Sequence, residues 1–156
     1  MPISRRALIG ACAVRAVGVT NATGYVGQIG AMNGLPGVEN TPADPPTKTA
    51  HDLRVRPYFV LFPGAGTPGE EIDLAETVED LDWPLRITAA GSDVDDVLAL
   101  VDRIHNRFFR WTPTVEGFIC GPLRVPGGYE APLLPDRKVE PHRLFVPLLY
   151  QLTAHT

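Results

Sequence analysis

The placement of proline and glycine constrains the fold of this 156-residue chain more than any other feature. The sequence has 16 prolines and 15 glycines, and many of them fall in three stretches, 33–50, 63–82 and 126–141. Because proline breaks helices and interrupts strand pairing, and glycine weakens both, these stretches are predicted to be long loops. The length is that of a single domain, 1–156, in which short helices and strands alternate with the loops.

Two windows have the features of helices. Ser4 is a suitable N-cap for a helix that runs to about Val17. Ser92 begins a second predicted helix, in which aspartates come first and arginines last, the order that the helix dipole favours. Apolar residues of the second window recur at helical spacing from Val94 to Phe108, which predicts one buried face.

Five windows are predicted strands, because they are rich in β-branched and aromatic residues or alternate in polarity. They are Tyr25–Ile29, Leu53–Phe62, Trp83–Ala90, Phe118–Val125 and Leu144–Thr153. Pro57 predicts an edge position or a bulge for the second of them. The order predicts an α+β fold: a mostly antiparallel four- to five-stranded sheet with two packed helices and long Pro/Gly-rich loops.

Charge is distributed unevenly. Between Glu70 and Asp102 there are eleven acidic residues and one basic residue, Arg86, although the whole chain has a net charge of only −4. A solvated acidic loop and helix face would explain this pattern. The functional interpretation is a surface that repels nucleic acid or meets a basic partner. The net charge argues against a protein that grips DNA, which needs clustered lysine and arginine.

Sequence patterns typical of catalytic and cofactor sites are incomplete. The segment Val19–Gly27 resembles the glycine-rich turn of NAD(P)-binding proteins, but a predicted helix precedes it and no helix can follow it. We interpret it as a turn into a strand, and a small NAD(P)-binding protein stays an alternative. Gly64–Gly69 lacks the Gly-Lys-Ser/Thr ending of a phosphate loop and is followed by Glu70 and Glu71.

Metal and thiol chemistry is not predicted either. The four histidines fall in four different predicted elements, and Cys12 and Cys120 are too far apart in sequence for a metal-ligand motif. We predict that both cysteines are buried as small hydrophobes. No apolar run approaches the roughly 18–20 residues that span a bilayer, and Arg15 interrupts the one stretch that resembles a signal peptide. The sequence predicts no catalytic, cofactor-binding or metal site, no membrane contact, and a protein that is not an enzyme.

The layout of the chain resembles the tail terminator (tail completion) proteins of long-tailed bacteriophages. The similarity lies in the N-terminal helix, the proline-rich loop, the strand at Arg54–Val60, the acidic loop, the strand at Leu85–Thr88, the helix at Ser92–Arg103 and the strand at Leu144–Leu152. The resemblance implies a homohexameric ring that caps the tail tube, ends its polymerisation and joins it to the head–tail connector. The implied location is the head-proximal end of the virion tail, after assembly in the host cytoplasm.

The same resemblance implies the partners. They are further copies of the chain, the tail tube protein, the connector proteins, and genomic DNA only as it passes through the lumen. The acids expected to face the lumen or a basic partner are Glu70, Glu71, Asp73, Glu76, Glu79, Asp80 and Asp82. The arginines expected at other subunit interfaces are Arg54, Arg56, Arg124, Arg137 and Arg143. A head–tail connector or a tail tube subunit is the alternative within the same class.

Overall fold

A computed structural model describes residues 3–32, 42–69 and 79–156. These residues form an α+β fold with two helices and one mixed sheet, which confirms the predicted fold class. In chain order the elements are α1 (Arg5–Ala16), β1 (Thr23–Val26), β2 (Tyr58–Pro63), β3 (Thr67–Pro68), β4 (Asp80–Gly91), α2 (Val94–Phe108), β5 (Ile119–Cys120), β6 (Leu134–Asp136) and β7 (Arg143–His155).

The sheet has seven strands in the described residues, against the four to five that the sequence predicts. Its order is β1-β2-β4-β7-β5, with β3 beside β4 and β6 beside β7. The two long strands β4 and β7 pair along twelve residues and form its centre. The pair β1–β2 is parallel and the other pairs are antiparallel. The parallel pair is possible because more than 30 residues separate the starts of its two strands.

Both helices pack on one face of this sheet. Side chains of β4 alternate between buried and more exposed positions from Asp80 to Ala89, as the alternation in the sequence predicts. The buried set of β4 pairs with the buried set of β7, and α2 packs on both, whereas α1 packs on β1, β2 and α2. The largest side chains in this core are Trp83, Tyr150, Phe59 and Phe108.

The helix caps agree with the sequence to within one residue. Ser4 caps α1, and its Oγ accepts a hydrogen bond from the Ala7 N–H at 3.1 Å. The cap of α2 is Asp93 instead of the predicted Ser92, and its Oδ1 accepts from the Asp96 N–H at 2.9 Å. Aspartate has the further advantage that its negative charge lies at the positive end of the helix dipole.

Pro57 has a different role from the predicted one. The second predicted strand begins only at Tyr58, directly after this proline, and β2 lies between β1 and β4 instead of at an edge. Pro57 lacks the N–H that strand pairing needs, but its carbonyl accepts from the Thr23 N–H at the start of the β1–β2 pair.

Two of the predicted loops contain short strands. In the stretch 63–82, Thr67–Pro68 pairs with Leu81–Asp82, and Asp80 already begins β4. In the stretch 126–141, Leu134–Asp136 pairs with the start of β7. The predicted strand Phe118–Val125 is mostly irregular, since only Ile119–Cys120 forms a strand in it. Residues 33–41 and 70–78 of the predicted loops lie outside the described residues.

Candidate functional site

One face of the sheet has no helix on it within the described residues, and we call it the open face. It carries the side chains of β2, β4 and β7 that alternate with the core set. Its central residues are Tyr58, Val60, Phe62, Arg86, Thr88, Ala90 and Phe145. The sequence contains a signal for it, because β2 is apolar at every position from Tyr58 to Phe62, whereas β4 alternates. A continuous apolar run is typical of a strand with apolar surroundings on both faces.

A small second core covers one end of the open face. Val55 is completely buried there and packs with Tyr58, Val60 and Ala90, with Ile29 beside them. The segment that carries Val55 is attached to the start of α2 by ion pairs. Lys48 Nζ lies 2.8 Å from Asp96 and 3.7 Å from Asp93.

An apolar groove remains on the open face beside this second core. Its volume is about 340 Å³, and its floor includes Val60, Phe62 and Phe145. Phe62 is 40% exposed, a large fraction for a phenylalanine in a strand. Asp136 and Arg143 give the groove a charged rim. An apolar centre with a charged rim is the usual composition of a protein–protein contact.

Arg143 is the predicted interface residue that the structure brings into this groove. Its guanidinium lies 5.9 Å from the centre of the Tyr58 ring and donates a hydrogen bond to the Tyr58 hydroxyl. The Nε of Arg143 is buried and has no hydrogen-bond partner among the described residues. Tyr25 packs edge-on against Tyr58 at 6.3 Å. Burial raises the pKa of Tyr25, and the nearby Arg56 opposes that rise.

The other predicted arginines do not share one surface. Arg54 pairs with Asp52 at 2.8 Å near the start of α2. Arg124 exchanges backbone hydrogen bonds of 2.9 and 2.8 Å with Gln151 at the outer edge of β7. Arg137 lies in the turn between β6 and β7. The set therefore divides into separate sites, of which Arg143 lines the groove and Arg56 lies near Tyr25.

The described acids of the acidic segment have two different environments. Asp80 and Asp82 are exposed at the other end of the open face, opposite His155 and Thr153 in the register. Glu79 makes structural contacts, because its carboxylate accepts from the Ile3 N–H at 2.9 Å and its own N–H donates to the Thr156 hydroxyl at 2.8 Å. Glu70, Glu71, Asp73 and Glu76 lie outside the described residues.

The candidate NAD(P) motif has the reverse of the geometry that a dinucleotide needs. The helix α1 precedes the motif, and the strand β1 (Thr23–Val26) occupies its end. A pyrophosphate site requires a strand before the glycine-rich turn and a helix N-terminus after it. The interpretation of this segment as a turn into a strand is confirmed. Part of the second glycine-rich segment, Thr67–Pro68, pairs with β4.

The two thiols are buried in the same core, as the sequence predicts. Burial, and to a smaller degree the neighbouring Cys120, raise the pKa of the Cys12 thiol to about 12. Burial also raises the pKa of Cys120. The raised pKa values favour the protonated form of both thiols, whereas the reactive form is the thiolate.

His105 has a partner that the sequence does not reveal. It lies in the last turns of α2, as predicted, but its Nδ1 is 3.1 Å from the hydroxyl of Tyr150 on β7, and its ring stacks on Phe109 at 4.5 Å. Burial raises the pKa of Tyr150. The described parts of the chain contain no group of three His, Cys, Asp or Glu residues that could hold a metal ion. Among the helices described, none is long and apolar enough to cross a membrane.

No protein-family model matches the chain, and no curated protein is significantly similar to it.

Proposed function

We propose that this protein is a structural subunit that assembles with further copies of itself into a ring at the head-proximal end of a phage tail. The main support for this proposal is the open face of the sheet. An apolar groove of about 340 Å³ with a charged rim is suited to contact another protein chain. By contrast, the NAD(P)-like segment lacks the strand–turn–helix geometry of a dinucleotide site, and burial raises the pKa of both thiols.

A ring of identical subunits needs two unlike surfaces on each copy, because each interface joins one surface to the other. The open face supplies the first. The second is available on the opposite side, where the helices expose apolar residues to the exterior. These residues are Val14 and Val17 on or beside α1 and Val94 and Leu98 on α2, which are between 48% and 65% exposed. Apolar surface on opposite sides is the arrangement that repeated head-to-tail contacts require.

The acidic end of the open face favours a lumen through which DNA passes. Asp80 and Asp82 are exposed there, and no base pairs with them among the described residues. A wall with exposed carboxylates repels phosphate, so DNA slides past without being held. The proposed partners are the tail tube protein on one side of the ring and the connector on the other, and the proposed ring is a hexamer that ends tube growth.

The test is the assembly state of the purified protein, alone and with tails. We expect rings in electron micrographs and a hexamer mass in sedimentation. The substitution Phe62→Asp places a charge in the groove and should abolish the rings, whereas Leu53→Asp, at a residue that is 67% exposed outside the groove, should leave them intact.

Two outcomes would contradict the proposal. A strict monomer that never binds tails would exclude a ring. Long tubes of the protein alone would assign it to the tail tube, because a tube subunit stacks without limit and a terminator stops. In phage assembly, reversing Glu76, Asp80 and Asp82 together to lysine should impair assembly or DNA passage, and a normal yield of phage would exclude the proposed lumen.

A further inference from the structure

A notch between the end of α1 and the last turns of α2 brings several hydrogen-bond donors together. Arg103 and Arg107 lie one turn apart on α2 and face the same side. With Asn106 and the turn Gly18–Thr20 they line a space of about 240 Å³. The notch is separate from the open face, because it lies on the helix side of the sheet.

A third arginine, Arg15, lies beside the notch, and its guanidinium is 5.2 Å from the centre of the Trp111 ring. Arg15 Nε donates to the Arg107 carbonyl at 3.0 Å, and Arg107 Nε donates to the Arg15 carbonyl at 3.0 Å. Burial and the charge of Arg107 lower the pKa of Arg15. Across the described residues, no carboxylate lies within 4.0 Å of Arg15, Arg103 or Arg107. Arg103 and Arg107 thus line the notch without a carboxylate of the described residues within 4.0 Å, and Arg15 is a neighbouring positive charge.

Two details concern the arginine donors of the notch and the space around them. The Nε of Arg103 is buried, yet it donates to no acceptor among the residues described. Gly18 leaves room for the guanidinium of Arg107, since a Cβ at this position would lie only 2.3 Å from its Nη2. A buried donor without an acceptor is uncommon in folded proteins, and this one belongs to a side chain that lines an open notch, where an external acceptor can reach it.

We propose that this notch binds a phosphate group. Guanidinium groups donate pairs of hydrogen bonds to phosphate oxygens. The Thr20 hydroxyl and the Asn106 amide provide further donors. The two lining guanidinium groups, with Arg15 beside them, favour a phosphate dianion over a singly charged carboxylate. The phosphate comes either from free phosphate or from a phosphate of a nucleic acid, and the site does not depend on ring formation.

The experiment is calorimetric titration of the whole protein with inorganic phosphate, with sodium acetate at equal ionic strength as the reference. We expect saturable binding of phosphate and a rise in melting temperature. The substitution Arg103→Gln removes the free donor and should weaken binding by about 10- to 100-fold, the usual value of a charge-assisted hydrogen bond. The matched control is Arg86→Gln, which removes the same charge from the exposed open face and should leave the affinity unchanged.

A second variant keeps the proposal testable if Arg103→Gln fails to fold. Thr20 is exposed, so Thr20→Glu preserves the fold and places a carboxylate in the notch. It should abolish phosphate binding and raise the melting temperature in the absence of phosphate. Full binding by Thr20→Glu, or equal loss in Arg103→Gln and Arg86→Gln, would overturn the proposal.

Titration with a short single-stranded oligonucleotide distinguishes the two sources of the phosphate. Binding that inorganic phosphate displaces and Arg103→Gln removes would identify a nucleic-acid phosphate. Binding of inorganic phosphate alone would identify the free ion. Acetate binding as strong as phosphate binding, or no phosphate binding by the unmodified protein at tens of millimolar, would exclude a phosphate site.

Discussion

The two faces of the sheet use adjacent residues of the same strands for different purposes. Leu61 points into the core beneath the helices and is fully buried, whereas the next residue, Phe62, lines the open groove and is 40% exposed. The helix side carries a continuous core that includes Trp83 and Tyr150. Among the described residues, the buried cluster on the open side is the small one around Val55 and Val60.

This difference in burial separates residues that stabilise the monomer from residues that are available for contact with another surface. Apolar side chains on the helix side are already removed from water, so they contribute their full transfer free energy to the monomer. Phe62 and its neighbours in the groove are removed from water only in part, and they gain the remainder when another surface covers them. The open face is therefore a part of the molecule where apolar side chains keep area that another surface can cover.

The strongest test of the covered face is Trp83→Ala. This residue is fully buried, so we expect the free energy of unfolding to fall by about 3–5 kcal/mol, measured by urea denaturation. The control is Trp83→Phe, which keeps most of the volume and removes an indole N–H that has no partner among the described residues. It should cost less than half as much. Equal losses would contradict a contribution from the packed volume of this side chain.

A direct comparison of the two faces uses two neighbouring residues. Leu61→Ala should lower the free energy of unfolding by about 2–5 kcal/mol, because it leaves a cavity in the core. Phe62→Ala should cost about 1 kcal/mol, since the side chain is already partly in water. Thermal and urea unfolding of the two variants measure the difference. If Phe62→Ala costs as much as Leu61→Ala, the open face is a core in its own right.

The smallest expected effect concerns the segment that covers one end of the open face. Its Lys48 contacts Asp93, the cap of α2, and Asp93→Ala should cost about 1 kcal/mol at neutral pH. Hydrogen bonds from the Asp96 backbone lower the pKa of Asp93 below its ordinary 3.8. Its carboxylate therefore stabilises the fold above pH 3.8, and this contribution is lost as the pH falls through the lowered pKa.

The variant Asp93→Asn isolates that titration. Asparagine caps a helix well but carries no charge, so the variant should show a smaller loss of stability between pH 4 and pH 2 than the unmodified protein. Melting temperature across this pH range is the measurement. Identical curves for the two proteins would show that the charge of Asp93 has no part in holding the cap.

Some elements were predictable because their signals are local. The Ser4 cap, the alternation of β4 and the apolar stripe of α2 depend on residues a few positions apart, and each appears in the fold. Predictions failed where a strand depends on its pairing partner and not on its own residues. Leu134–Asp136 is a strand only because the start of β7 lies beside it, although its sequence is typical of a loop.

The candidate surfaces show the same division between local features, which could be predicted, and long-range contacts, which could not. The polarity pattern predicted a charged segment, and Asp80 and Asp82 are exposed as expected. It did not predict that Glu79 contacts Ile3, which is 76 positions away. The groove of the open face was also not predicted, although the unbroken apolar run of β2 contains its signal.

By itself, the sequence determined where the chain can be regular, since proline, glycine, caps and periodicity act over one or two turns. Only the tertiary structure decided which apolar face stayed uncovered and which charges met. Arg15 and Arg107 are 92 positions apart, and they exchange hydrogen bonds because two helices pack side by side on one sheet. Such contacts depend on the relative placement of whole elements, and no short pattern of residues encodes that placement.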